Sequence, residues 1–208
     1  MALYRLVRLL LRLIFRVVFR WKVIGADNIP ESGPVLVAAN HISLLDPPVV
    51  GCAVRREISY MAKAELFERP IFRWFLAKLK AFPVRRGKAD RTAIRTALEI
   101  LKQGGVVGLF PEGTRSRTGE MLSPQHGVAL LAIKSNAVIV PTAVYGTNRV
   151  DKLFGFIPIP PKIYVKFGKP MEVSQYEGRV DKNTVAEVSV QVMRQIRHNL
   201  RELELYRL

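Results

Sequence analysis

Acidic residues are scarce in this chain, and before Asp27 there are none. The 17 Asp plus Glu are outnumbered by 33 Lys plus Arg over 208 residues, a formal net charge of +16. Such an excess favours an anionic partner, whether nucleic acid, anionic lipid or a phosphorylated metabolite. One cysteine, Cys52, excludes an intrachain disulfide framework and suits a reducing cytosol. Histidine is limited to His41, His126 and His198. One histidine near one aspartate, with no cysteine pair, is too few ligands for a metal, so neither metal nor cofactor is expected. The chain also lacks the run of glycines followed by Lys and Ser or Thr that makes a nucleotide phosphate loop. What is present is globular in balance, with 49% apolar and 24% charged residues.

The charge is partly concentrated at the start, MALYRLVRLLLRLIFRVVFRWK, where Arg5, Arg8, Arg12, Arg16 and Arg20 recur every three or four residues. At about 100° per residue these positions share an arc of roughly 120°, leaving Leu, Ile, Val and Phe around the remainder. A helix of this kind lies in the plane of an anionic membrane, its arginine stems reaching back to phosphates. It carries too much charge for a bilayer span of about 20 apolar residues, and charge through the apolar region with no small-residue cleavage site argues against a signal peptide. Residues 1–24 are therefore expected to be a membrane-associating segment, peripheral or monotopic on the cytoplasmic face of the cell membrane, ahead of a domain over 25–208. The alternative is a helix packed on the protein's own core.

Beyond Gly25, short apolar runs alternate with helical patterns. Strands are expected at Val35 to Ala39, Ile58 to Ala62, Phe82 to Val84, Val106 to Phe110, Ala137 to Val140, a pattern that Val144 and Tyr145 extend beyond Pro141, and Ile163 to Phe167. Helices are expected over Pro70 to Leu79, from an Asp90 cap through Leu101, over Gln125 to Lys134, and over Asn183 to Leu203. This order predicts an α/β fold, a single domain with a mostly parallel central sheet covered by helices on both faces. Ligand groups of such sheets gather beyond the carboxyl ends of the strands.

Three clusters fall at such ends. In VAANHISLLDPP, neutral His41 is suited to accept a proton, with Asp46 as a partner able to orient the ring; the plainer reading is a capping turn with Asn40 and Ser43. In FPEGTRSR, Arg115 can clamp a phosphate, Gly113 permits close backbone approach, and Thr114 adds a donor. Glu112 is expected to hold Arg115 or to accept from a substrate hydroxyl, the alternative being an ion pair on a surface turn. In KLKAFPVRRGK, Arg86 is the preferred second phosphate ligand, with Arg85 pointing the other way in an extended segment. Pro141 is expected to end the strand from Ala137 to Val140 and to shape a pocket wall.

Together these blocks resemble the glycerolipid acyltransferase family, in particular its lysophosphatidate-using branch. Asn40-His41 through Asp46 matches the histidine, four residues, aspartate block; Val84-Arg85-Arg86 the substrate-arginine block; Phe110 through Arg115, reading FPEGTR, the third; and Val138-Ile139-Val140-Pro141 the apolar-proline block. The match covers about residues 38 to 144. Lys80 and Ala81 stand where members often carry a glycine.

The resemblance implies transfer of a fatty acyl group from acyl-CoA or acyl carrier protein to the sn-2 hydroxyl of 1-acyl-sn-glycerol 3-phosphate, forming phosphatidate. His41 would act as base and Asp46 would hold its tautomer. Arg86, Gly113, Thr114 and Arg115 would bind the phosphate, and Glu112 would organise that site. No acyl-enzyme is implied, and oxyanion donors are expected among backbone amides near Asn40-His41 or the Gly113 turn. Two other readings compete: an acyltransferase for glycerol-3-phosphate or another lyso-lipid, and a non-catalytic basic module for membrane or nucleic acid. Nucleic acid is disfavoured, because charge alone leaves the ordered blocks unexplained.

Overall fold

Val35 to Ala39 is buried at every position, and its side chains divide by parity. Val35, Val37 and Ala39 enter one core cluster while Leu36 and Ala38 enter another, as the twofold repeat of a strand covered on both faces requires. The computed structural model describes residues 2–85, 90–150 and 160–206. In chain order its strands are β1 (Lys22–Ile24), β2 (Val35–Ala39), β3 (Ile58–Lys63), β4 (Ala81–Val84), β5 (Val106–Leu109), β6 (Val138–Tyr145) and β7 (Tyr164–Phe167). The helices are α1 (Ala2–Val17), α2 (Asp46–Ala53), α3 (Pro70–Lys78), α4 (Arg91–Lys102), α5 (Gly127–Ser135), the short α6 (Thr147–Val150) and α7 (Lys182–Tyr206).

The strands form one sheet in the order β1-β7-β6-β2-β5-β3-β4. Every neighbouring pair is parallel except β6 with β7. The carboxyl ends of β2, β5 and β6 therefore lie side by side, which brings the loops after residues 39, 109 and 145 to one edge. On one face α4, α5 and α7 pack over Leu36, Ala97, Leu101, Leu131 and Val192. On the other, α1 and α2 pack over Val35, Val37, Val49 and Ile58. Asp90 caps α4 as expected, its Oδ1 accepting from the amides of Thr92 at 3.0 Å and Ala93 at 3.1 Å.

Three sequence expectations change. First, Pro141 does not end its strand: β6 runs through it to Tyr145, taking in the Val144 and Tyr145 extension. The Pro141 carbonyl accepts from Gly168 N and Asn199 Nδ2, on the flank away from β2. The missing proline N–H falls on that same flank, so pairing with Ala38 is undisturbed. Second, β1, inside the segment assigned to membrane association, is a sheet strand paired with β7.

Third, the arginine stripe of α1 does not face outward as a whole. Arg12 Nε donates to Cys52 O at 2.7 Å, and Arg8 donates to the carbonyls of Val54 and Arg55. These carbonyls belong to the C-terminal end of α2, where a guanidinium meets the negative end of the helix dipole. With Arg8 and Arg12 turned inward and Arg5, Arg16 and Arg20 exposed, Tyr4 and Phe15 are buried while Leu6, Leu9, Leu10, Leu13, Ile14 and Val17 are exposed. Among the described residues no helix is long and apolar enough to cross a membrane.

Phe15 is the more deeply buried of the two core side chains of α1, seated between Phe19 and Trp21. Phe15→Ala should lower unfolding stability by about 3–5 kcal/mol, whereas Leu9→Ala, at an exposed position, should stay within about 0.5 kcal/mol. Urea titration of both variants measures the contrast, and equal losses would rule out this orientation of α1.

Candidate active site

At the carboxyl end of β2 the chain turns through His41 to Leu45 into α2, which begins at Asp46. Pro47 and Pro48 occupy the first turn, where helical amides have no partner in any case. Asp46 is fully buried and folds back over the turn. Its Oδ2 accepts from Ile42 N at 2.6 Å and Ser43 N at 2.8 Å, and stands 2.8 Å from His41 Nδ1. Its Oδ1 accepts from Thr147 Oγ1 at 2.6 Å. An ionised carboxylate is only an acceptor, so Nδ1 is the protonated nitrogen and Nε2 carries the lone pair. Among the described residues Nε2 has no hydrogen-bond partner.

The ring of His41 stacks on Phe110, centroids 4.0 Å apart, and Tyr60 continues the stack beyond Phe110 at 6.1 Å. Tyr60 covers Gly108, where a Cβ would collide with its ring. Its hydroxyl is buried without a partner among the described residues, and that burial raises the phenol well above its usual range. The neighbouring Asn40 is locked to β6, its Oδ1 accepting from Val144 N at 2.7 Å and its Nδ2 donating to Val144 O at 3.0 Å. An amide side chain thus continues the β2 to β6 pairing one residue past the strand.

The loop after β5 is tied to the same turn. Glu112 is buried and its Oε1 accepts from His41 N at 2.9 Å, its Oε2 from Leu122 N at 2.9 Å. It therefore neither pairs with Arg115 nor forms an exposed turn contact, as the sequence suggested; it clamps two backbone segments. Burial raises its carboxyl above the usual glutamate range, opposed by the hydrogen bonds from Leu122 and His41. Gly113 sits at φ 69°, a conformation that favours glycine. Ser116 N then donates to His41 O at 2.8 Å, which leaves Arg115 one residue from a direct backbone tie to the histidine.

Thr114 and Arg115 are exposed on this loop, and Arg115 has no acidic partner among the described residues. The amides of His41 and Gly113, expected as oxyanion donors, are already donated to Glu112 Oε1 and Phe110 O. The amides of Thr114 and Arg115 have no acceptor among the described residues. Arg85 follows β4, two strands out from β5, or about 10 Å at the usual strand spacing. It is exposed, and its amide donates to Asp90 Oδ2. Arg86 lies outside the described residues. Pro141 is buried within the sheet, level with Ala38 and so three residues short of His41.

Sequence reasoning did not single out Thr147 or the Asn40 to Val144 pair. Thr147 is 101 residues from Asp46 in the chain, and only the adjacency of β2 and β6 brings it near. Its sequence signal is slight: a hydroxyl residue after Gly146 at a strand end. Among the described residues no cluster of His, Cys, Asp and Glu is suited to a metal ion.

Comparison with known proteins agrees with this geometry. The Acyltransferase family model matches residues 20–145. The 1-acyl-sn-glycerol-3-phosphate acyltransferase of Bacillus subtilis is 35% identical over 134 residues, 64% of this chain and 66% of its own length. That of Borreliella burgdorferi is 30% identical over 128 residues, 61% of this chain and 51% of its own. The chain thus spans about half to two thirds of these relatives. The crystal structure of the 1-acyl-sn-glycerophosphate (LPA) acyltransferase PlsC from Thermotoga maritima superposes with a TM-score of 0.74 at 28% identity, covering 97% of this chain and 79% of that one. With the family model matching well over half of its length, and with the histidine, aspartate and FPEGTR segments joined at one sheet edge, this chain belongs to the Acyltransferase family.

Proposed function

We propose that the protein transfers a fatty acyl group from the thioester of acyl-CoA or acyl carrier protein to the sn-2 hydroxyl of 1-acyl-sn-glycerol 3-phosphate, giving phosphatidate and free thiol. The observation that carries this reading is the buried His41 Nδ1 to Asp46 Oδ2 contact of 2.8 Å, which leaves Nε2 as the proton acceptor. In this reaction Nε2 takes the proton of the lipid hydroxyl as its oxygen attacks the thioester carbon. Collapse of the tetrahedral intermediate expels the thiolate, which takes the same proton from the imidazolium. Asp46 stabilises the positive ring while the attack proceeds.

No protein nucleophile enters this route. Burial pushes the Cys52 thiol up to about 11, leaving it protonated at neutral pH. Ser43 Oγ accepts from Leu45 N and Ser116 Oγ from Gly119 N, so both hydroxyls serve turns. Arg115 binds the acceptor phosphate with Thr114 and the open Gly113 turn, and Arg86 is assigned as the second phosphate ligand on its sequence position alone. The free amides of Thr114 and Arg115 serve that phosphate or the oxyanion. Glu112 contributes by fixing the phosphate loop to the histidine turn. The exposed apolar side of α1 supports access to a lipid acceptor from the cytoplasmic membrane surface, residues 1–24 associating with the bilayer and 25–208 carrying the chemistry.

A panel of acyl-CoA and acyl carrier protein donors against lysophosphatidate, glycerol-3-phosphate and other lyso-lipids, read as thiol release and acylated product, tests the assignment. His41→Ala should reduce turnover by about 10²–10⁴-fold with folding intact; full turnover in that variant would eliminate the proposed base. Arg115→Ala should raise KM for lysophosphatidate about 10- to 100-fold while leaving an unphosphorylated monoacylglycerol unaffected.

The raised carboxyl of Glu112 sets a pH dependence. A folded value above the unfolded one means that its stabilisation is complete below the ordinary 4.5 and is lost as pH rises through the raised value. The stability of the wild type relative to Glu112→Gln should therefore fall as pH increases above about 4.5. Denaturant midpoints of the two proteins across pH 4 to 8 measure this, and a rising difference would contradict it.

A further inference from the structure

Helix α3 has no buried residue. Ile71 is 80% exposed, Phe72 50%, Trp74 57% and Phe75 40%. At about 100° per residue these four occupy one arc of roughly 160°, so they form a face and not a scatter of single exposed residues. An apolar and aromatic face of this kind on a strongly charged protein is a contact surface without its partner.

The partner is identified by what surrounds the face. Arg69, Arg73, Lys78 and Lys80 are exposed on or beside the helix, and long cationic side chains around Trp and Phe suit the headgroup region of an anionic bilayer. The position of α3 in the fold points the same way. The connections β2-α2-β3 and β3-α3-β4 both carry the chain outward across the sheet, and right-handed crossovers place both helices on one face. That is the face covered by α1, whose outward side chains are Leu6, Leu9, Leu10, Leu13, Ile14 and Val17. Beside α3, Lys80 Nζ contacts the Glu57 carboxylate at 2.5 Å, and that contact, aided by the charge of Arg5, holds the carboxyl below its usual range. Two further exposed leucines, Leu66 in the turn before α3 and Leu44 between His41 and Asp46, follow β3 and β2 at the catalytic edge.

We infer that α3 is a second bilayer-contacting element, which inserts Ile71, Phe72, Trp74 and Phe75 at an anionic lipid surface beside α1 and so presents the His41 edge to the interface. Two contacts fix an orientation where a single helix allows rotation about its own axis. The meaning of that orientation for lipid access rests on the acyl-transfer reading; the contact itself does not.

The chain has two tryptophans, Trp21 and Trp74, so Trp21→Phe leaves Trp74 as sole reporter. On adding phosphatidylcholine vesicles with about one third phosphatidylglycerol, Trp74 emission should shift to the blue and be quenched by lipids brominated on their acyl chains. If Trp21→Phe does not fold, the difference between wild type and Trp74→Phe reports the same signal. A second variant, Trp74→Ala with Phe75→Ala, should weaken vesicle binding at least about ten-fold and leave turnover of a short-chain, monomeric lysophosphatidate unchanged. Unchanged Trp74 emission on vesicles that co-sediment the protein would overturn the inference. So would a concentration-dependent blue shift without lipid, which would assign the face to a second copy of the chain, or loss of turnover on the monomeric acceptor. Quenching without acyl transfer to any acceptor would leave α3 as a bilayer contact and refute the enzymatic reading instead.

Discussion

The buried carboxylate of Asp46 is the interaction on which the rest of this protein depends. A carboxylate removed from water is costly unless its lone pairs are filled, and here four donors fill them: two backbone amides of the turn, the His41 ring and the Thr147 hydroxyl. Satisfying one charge thus determines the turn after β2, the tautomer of the histidine and the docking of the segment after β6. The start of α2 follows from the same residue, since an acidic group in the first turn meets the positive end of the helix dipole.

A second buried acid extends this arrangement to β5. Glu112 spends both oxygens on backbone amides, one of them that of His41 itself. The histidine residue is therefore held by its ring through Asp46, by its amide through Glu112 and by its carbonyl through Ser116 N. Among the described residues two buried acids and no buried cation hold this edge, while Arg85 and Arg115 are exposed on the loops.

The N-terminal helix follows a similar economy. Arg8 and Arg12 satisfy carbonyls at the end of α2, which leaves apolar side chains to face outward. Of the charge that reads in isolation as a surface stripe, Arg8 and Arg12 are used for docking while Arg5, Arg16 and Arg20 stay exposed beside the outward apolar side chains. Periodicity identifies the two sides of a helix but carries no sign: whether the core takes the leucines or the arginines depends on the acceptors waiting there.

The sequence by itself determined strands β2 to β7, helices α1, α3, α4, α5 and α7, the parallel character of most of the sheet, the Asp90 cap and the proximity of His41 to Asp46, because each arises from local periodicity or from chemistry within a few residues; β1, α2 and α6 were not legible there. FPEGTR was legible as a functional loop for the same reason. The tertiary structure alone decided that Glu112 grips His41 and not Arg115, that Thr147 reaches Asp46 and that Asn40 binds Val144. Those contacts join residues 71 to 104 positions apart, and they exist only because adjacency in the sheet places the ends of β2, β5 and β6 together.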